Sequence, residues 1–182
     1  METMPVIDGK TVDILFSEDE IATRNKAIAE AIAATRPERL LVLPILKGSF
    51  VFAADLIRAL HRAGVASTVE FVTVSSYGIS QTSGEVHLLH DIQSDIRGRD
   101  VLLIDDILES GKTLKFVSNL VKERGARTLS IAVLLDKSMR RQTDIEANYV
   151  GFQCPDQFVV GYGMDAGNAF RQLPFVGVVR EG

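Results

Sequence analysis

The sequence predicts an α/β protein built on a central, mostly parallel sheet with helices against its faces. Three observations carry that prediction. Apolar runs of strand length lie at Leu40–Leu46, 101–104 and 128–135, without polar alternation, as in strands buried on both faces. Stretches with helical spacing separate them. Where each run stops, a short polar segment follows: Lys47-Gly48-Ser49, then 105–113, then Asp136-Lys137. Strand, helix, strand, helix, strand in this order implies right-handed crossovers. Ligands of such sheets bind beyond the carboxyl ends of the strands, which is where these polar segments sit.

Each element has a local reason. Ser17-Glu18-Asp19-Glu20 reads as a capping box, and the Ala-, Ile- and Lys-rich stretch to Ala34 continues as a helix until Arg36-Pro37 stops it. After Lys47-Gly48-Ser49, the residues Phe50, Ala53, Ala54, Ile57 and Leu60 recur at helical spacing, and Gly64 closes that helix. Residues 68–75 are rich in β-branched side chains and predict one strand. Residues 76–84 have little to bury and predict a long mobile loop that covers a site, with 85–91 as a return strand. A helix is predicted over 112–124. The segments 149–152, 158–160 and 175–179 predict short strands of a C-terminal flap spanning about 149–182.

Composition bounds the rest. At 182 residues and 46% apolar content, one domain can hold a full core without a disulfide or structural metal. The single cysteine, Cys154, fits a reducing compartment and reads as a small buried hydrophobe. Lys47, Asp55 and Arg58 interrupt the best membrane-span candidate, and Met1-Glu2-Thr3-Met4-Pro5 reads as neither signal nor anchor. A cytoplasmic protein without membrane association is the expectation. A net charge of −4 argues against nucleic-acid binding by bulk electrostatics but leaves room for a small anion.

The most informative segment is Val101-Leu-Leu-Ile-Asp105-Asp106-Ile-Leu-Glu109-Ser110-Gly111-Lys112-Thr113. An apolar strand delivers two carboxylates, a short loop offers hydroxyls and amides, and a helix begins there, a ready cradle for phosphate. Gly111-Lys112-Thr113 is no nucleotide-binding P-loop, since Asp106 stands where that motif needs glycine. Two acids beside a phosphate cradle suit a sugar phosphate whose vicinal hydroxyls donate to carboxylates.

This segment resembles the phosphoribosyl-pyrophosphate signature of the type I phosphoribosyltransferases. Other segments, in the family's order, resemble its hypoxanthine–guanine branch. The resemblance runs from about residue 40 to 179 and implies the type I phosphoribosyltransferase fold with a small flap or hood. Leu46-Lys47-Gly48-Ser49 is similar to the pyrophosphate loop, with a cis Leu46–Lys47 peptide implied, and Arg171 falls at a further pyrophosphate contact. Asp105, Asp106, Ser110, Gly111, Lys112 and Thr113 would hold the phosphoribosyl group. Ser75-Ser76-Tyr77-Gly78 resembles the start of the closing loop, assigning Ser76 and Tyr77 to it. Lys137 would donate to O6 of a 6-oxopurine, Phe158 would stack on the base, and the backbone at Val159 would read its edge. Asp165 is the implied ligand of Mg²⁺, and Glu109 the implied acid/base at purine N7.

Two positions depart from the family pattern: Glu109, where aspartate is usual, and Ala166, where an aromatic residue follows the metal acid. The implied activity is purine salvage, transferring phosphoribose from phosphoribosyl pyrophosphate to hypoxanthine or guanine and releasing nucleotide and pyrophosphate. A homodimer or homotetramer is implied as well. The alternatives are an RNA-binding regulator on the same fold, disfavoured by net charge, and an enzyme for another base. Lys137 disfavours adenine, and the length is too short for a phosphoribosyl pyrophosphate synthetase.

Overall fold

The computed structural model describes residues 6–7, 9–75 and 86–180. The expected closing loop, with Ser76 and Tyr77, lies outside the described residues. Eleven strands and three α-helices follow along them: β1 (Val6–Ile7), β2 (Lys10–Phe16), α1 (Glu18–Ala34), β3 (Leu40–Leu46), α2 (Phe50–Arg62), β4 (Ser67–Val69), β5 (Val72–Ser75), β6 (His87–His90), β7 (Asp100–Leu108), α3 (Lys112–Glu123), β8 (Thr128–Asp136), β9 (Tyr149–Gln153), β10 (Val159–Val160) and β11 (Val176–Arg180). A 3₁₀ turn, Ser138–Arg140, follows β8.

The central sheet runs β6-β5-β3-β7-β8-β9, with β4 also paired to β3. Every pairing is parallel except β5 with β6. Three of its inner strands, β3, β7 and β8, are the apolar runs, and alternation splits each run between two cores. Leu40 and Val42, Leu102 and Ile104, and Ala132 and Leu134 join one cluster with residues of α1 and α2. Leu41, Leu43 and Ile45, Val101 and Leu103, and Ile131 and Val133 join the other with Leu114, Val117 and Val121 of α3. Helices therefore cover both faces, which is why these strands lack polar alternation.

The capping box is present: the Glu20 amide donates to Ser17 Oγ at 3.3 Å, and the Ser17 amide donates to Glu20 Oε2 at 2.8 Å. The acids Glu18, Asp19 and Glu20 fill the first turn of α1, whereas α3 has no acid in its first turn. The positive end of the α3 dipole thus stays open to an outside anion.

Three expectations need correction. The strand expected over 68–75 is two, β4 and β5, laid end to end along β3. They break at Glu70-Phe71, because the Glu70 carboxylate turns to accept from the Gln93 and Ser94 amides. β7 extends past Ile104 through both acids to Leu108, held by its ladder with β8 from Asp100↔Thr128 to Leu108↔Asp136. The C-terminal flap does not begin at 149, since β9 is an edge strand of the central sheet, parallel to β8.

The hood is instead a second sheet, β1-β2-β11-β10, that recruits the N-terminal residues. It has its own small core of Val12, Val160, Phe170, Leu173 and Phe175. Among the described residues no helix is long and apolar enough to cross a membrane.

Candidate active site

Two hollows open side by side at the carboxyl edge of the sheet. One, of 360 Å³, is lined by Lys47, Gly48, Asp105, Asp106 and Glu109, and by Ser110, Gly111 and Thr113 from the turn into α3. The other, of 450 Å³, is lined by Lys137, Arg140, Phe158, Val159, Met164 and Asp165. Asp106, Ile107 and Glu109 belong to both walls, so the hollows meet there. The first has the hydroxyls and amides of a helix-start turn, as a phosphate cradle would, with two acids beside them. The second is a slot with a cation at its base and an aromatic ring at its lip.

Asp105 is 9% exposed, and its Oδ1 accepts from the Asp106 amide at 3.0 Å; Asp106 Oδ1 accepts from the Ile107 amide at 2.8 Å. Burial, then the neighbouring Asp106 carboxylate, holds the Asp105 carboxyl well above the usual carboxylate range. Burial also pushes Asp106 up, against the pull of its amide bond and the Arg171 charge. At the opposite end of β7 the same residue type has the opposite setting. Burial opposes ionisation of Asp100, but bonds from Arg127, Thr128 and the Glu38 amide outweigh it and hold its carboxyl low. One end of the strand holds its acid ionised with partners from the protein, and at the other end burial disfavours the ionised form of both acids.

The cradle is tight. A Cβ built on Gly48 would fall 1.9 Å from Asp106 Oδ2, so the Lys47-Gly48 loop reaches the acids only because residue 48 has no side chain. The Leu46–Lys47 peptide is cis, as the resemblance implied. Gly48→Ala is expected to push loop and acid apart and to lower kcat/KM at least ~10-fold, as a misplacement of about 1 Å costs up to ~10²-fold. Steady-state kinetics would check it; an unchanged kcat/KM would refute the contact.

In the slot, Lys137 is 6% exposed; its Nζ donates to Gln157 O at 2.7 Å and lies 3.9 Å from Glu109 Oε1. An ammonium has three donors, so capacity remains for a ligand oxygen. Phe158 would be a core residue on composition alone, but it is 64% exposed at the lip of the slot, its ring face free for stacking. Lys112 is exposed and lines neither hollow; its backbone amide donates to Ser110 Oγ at 3.4 Å. Arg171 lies behind the hollows: Nη2 is 2.9 Å from Asp165 Oδ1, and Nη1 donates to Gly163 O at 2.7 Å. Cys154 is only partly buried, and burial raises its thiol pKa.

Sequence reasoning missed the two arginines after Lys137. Arg140 Nη1 stands 3.5 Å from Glu109 Oε1, while its Nε pairs with Asp156. Arg141 donates to Glu109 O at 3.0 Å and to Ile145 O at 2.7 Å, and pairs with Asp136, which fixes the loop that begins α3. Lys137-Ser138-Met139-Arg140-Arg141, a basic cluster at a strand end, was the available signal.

For Mg²⁺ the donor set is partial. Asp105, Asp106 and Asp165 border the hollows, but among the described residues no three His, Cys, Asp or Glu side chains gather closely enough to hold an ion alone. That fits a hard cation bound through one or two carboxylates, with substrate oxygens and water completing its shell.

The model of the phosphoribosyl transferase domain family matches residues 11–166. The chain belongs to that family. Among relatives, the hypoxanthine-guanine phosphoribosyltransferase of Staphylococcus epidermidis is 44% identical over 170 residues, covering 92% of this chain and 93% of that protein. That of Aquifex aeolicus is 41% identical over 181 residues, covering 98% and 100%. The crystal structure of a hypoxanthine phosphoribosyltransferase from Staphylococcus aureus superposes with a TM-score of 0.86 at 39% identity, covering 92% of this chain and 91% of that one. The phosphoribosyl transferase fold is thus shared over 92% of the chain.

Proposed function

We propose that this phosphoribosyl transferase is a purine-salvage enzyme joining hypoxanthine or guanine to the phosphoribosyl group of phosphoribosyl pyrophosphate. The observation that carries the proposal is the meeting of a phosphate cradle and a lysine–phenylalanine slot at Asp106 and Glu109. A sugar phosphate in one and a flat base in the other would touch at that shared wall. The names of the relatives supply the purine.

In the reaction, a purine ring nitrogen attacks the anomeric carbon as the C–O bond to pyrophosphate breaks, through an oxocarbenium-like state. The α3 amides with Ser110 and Thr113 bind the 5-phosphate, and Asp105 and Asp106 accept from the ribose hydroxyls. Lys47, the Gly48 backbone and Arg171 hold the leaving pyrophosphate. Lys137 donates to O6, and Phe158 and the Val159 backbone hold the base in line. Glu109 takes the proton that N7 loses as the other ring nitrogen bonds to the anomeric carbon, and passes it on to solvent. Asp165 would hold Mg²⁺, whose chemistry when bound is neutralisation of the departing polyanion. A cytoplasmic setting and homodimeric or homotetrameric assembly belong to the same proposal and rest on the family likeness.

The test is nucleotide formation from phosphoribosyl pyrophosphate with hypoxanthine, guanine, xanthine or adenine, each with Mg²⁺ and with chelator. Turnover is expected with hypoxanthine or guanine, lost on chelation and absent with adenine. Lys137→Ala should cut kcat/KM for the oxopurine ~10- to 100-fold, the worth of a hydrogen bond from a charged group. Turnover of none of the bases would overturn the proposal and favour the regulator.

A further inference from the structure

Tyr162 is a buried polar residue that neither the phosphate cradle nor the slot uses. Tyr162 lies between Gly161 and Gly163 in the hood, with a left-handed φ of 50° and 4% exposure. A tyrosine so placed is held by something, because its backbone conformation is costly outside glycine. Its hydroxyl accepts from Asn25 Nδ2 of α1 at 2.9 Å and donates to the Asp55 carboxylate of α2. Burial, then the hydrogen bond to Asp55 and its charge, raise the Tyr162 pKa, so the hydroxyl keeps its proton and remains a donor. This bond fastens the hood to the two helices that cover one face of the sheet.

What it fastens leads to the pyrophosphate side of the site. Tyr162 N donates to Leu173 O at 2.8 Å, and Gly163 N to Arg171 O at 3.0 Å, so residues 161–164 and 171–173 form one small unit. Gly163, at φ 99°, presses on the pyrophosphate loop, where a Cβ on it would fall 2.5 Å from Gly48 O. Its carbonyl accepts from Arg171, which in turn pairs with Asp165. A shift of Tyr162 would therefore carry Gly163, Arg171 and Asp165 away from Lys47-Gly48 together. Phe158, at the lip of the slot, has no part in this unit.

We propose that Tyr162, held by Asp55 and Asn25, is a positioning residue for pyrophosphate: it sets Gly163, and through it Arg171 and Asp165, against the Lys47-Gly48 loop. The proposal rests on the phosphoribosyl-transfer reading of the site.

The experiment compares Tyr162→Phe, Asp55→Asn and Asn25→Leu with the wild-type enzyme. It reads thermal melting, the KM of each substrate and calorimetric binding of inorganic pyrophosphate with Mg²⁺. Tyr162→Phe should raise both the KM for phosphoribosyl pyrophosphate and the Kd for pyrophosphate about tenfold, as loss of a bond to a charged group would, while the purine KM stays within about twofold. Asp55→Asn keeps an acceptor for the hydroxyl and should stay within about threefold of wild type, and Asn25→Leu should shift the same constants in the same direction. If Tyr162→Phe does not fold, Asn25→Leu carries the test. A lower melting temperature with unchanged pyrophosphate binding would reduce Tyr162 to a structural role and overturn the proposal, as would an equal rise in both KM values. Should the wild-type chain turn over no purine, the salvage reading fails by itself, and the pyrophosphate calorimetry still decides whether Tyr162 positions this loop.

Discussion

Replacing Asp105 or Asp106 by asparagine is expected to stabilise the free protein and to disable it in the same step. Burial and mutual repulsion hold the Asp105 carboxyl well above its unfolded value, so folding discourages its ionised form. A carboxyl raised in this way adds stability fully below its unfolded pKa, near ~3.9, and loses that contribution as pH rises through the folded value. At neutral pH the acid is therefore a cost. Asparagine removes the cost while keeping an oxygen for the Asp106 amide. Each kcal/mol gained should raise Tm by roughly 2–4 °C at this chain length. With ligand the order reverses. Wild type gains about 2.7 kcal/mol at a ligand concentration 100 times its Kd, and a variant that no longer binds gains nothing. Melting curves with and without phosphoribosyl pyrophosphate and Mg²⁺ would show the two lines cross. A variant less stable than wild type at neutral pH without ligand would refute this account of the acids.

The second large effect concerns Glu109. Glu109→Gln keeps the size of the side chain and one acceptor oxygen but cannot take a proton, so kcat should fall ~10²- to 10⁴-fold, the usual worth of general acid–base catalysis. Glu109→Asp restores the residue that is usual in the family but withdraws the carboxylate from Arg140, now 3.5 Å away. Its activity should stay within about tenfold of wild type, because proton transfer survives and only placement changes. Single-turnover rates separate the chemical step from product release. Equal activity of the glutamine and glutamate forms would remove Glu109 from the chemistry.

Most of the central sheet is legible in the sequence because its strands solve one problem that residue pattern records: burial on both faces. Leu40–Leu46 and 128–135 could hardly be anything else, and the capping box at Ser17 marks the start of α1 from four residues alone. What pattern does not record is pairing between distant segments. β2 carries Val12, Ile14 and Phe16 at strand period, yet its partner is β11, more than 150 residues away, and only that pairing makes it part of the hood. Likewise β9 has the same pattern whether it edges the main sheet or the small one; its ladder with β8 decides. β4 and β5 read as one strand because a break caused by the Glu70 side chain leaves no mark in hydrophobicity. In the site, the acids, the cradle and the slot residues can be named because each matches a motif. Arg140 and Arg141 show only as part of a basic cluster, and Tyr162 shows no partner at all, because contacts with Glu109, Asp55 and Asn25 exist only once the chain is folded.

The path of β7 through both acids has a consequence for how the molecule moves. Asp105 and Asp106 hang not on a loop but on an inner strand, which β3 ladders up to Ile104 and β8 ladders through Asp105 and on to Leu108. Such a strand opens only when the whole domain does, whereas loops and turns at the sheet edge open at far smaller cost. The turns beside the acids, Lys47-Gly48-Ser49 and Ser110-Gly111, can therefore open while the strand that carries the acids stays still, a fixed datum at the floor of the hollow.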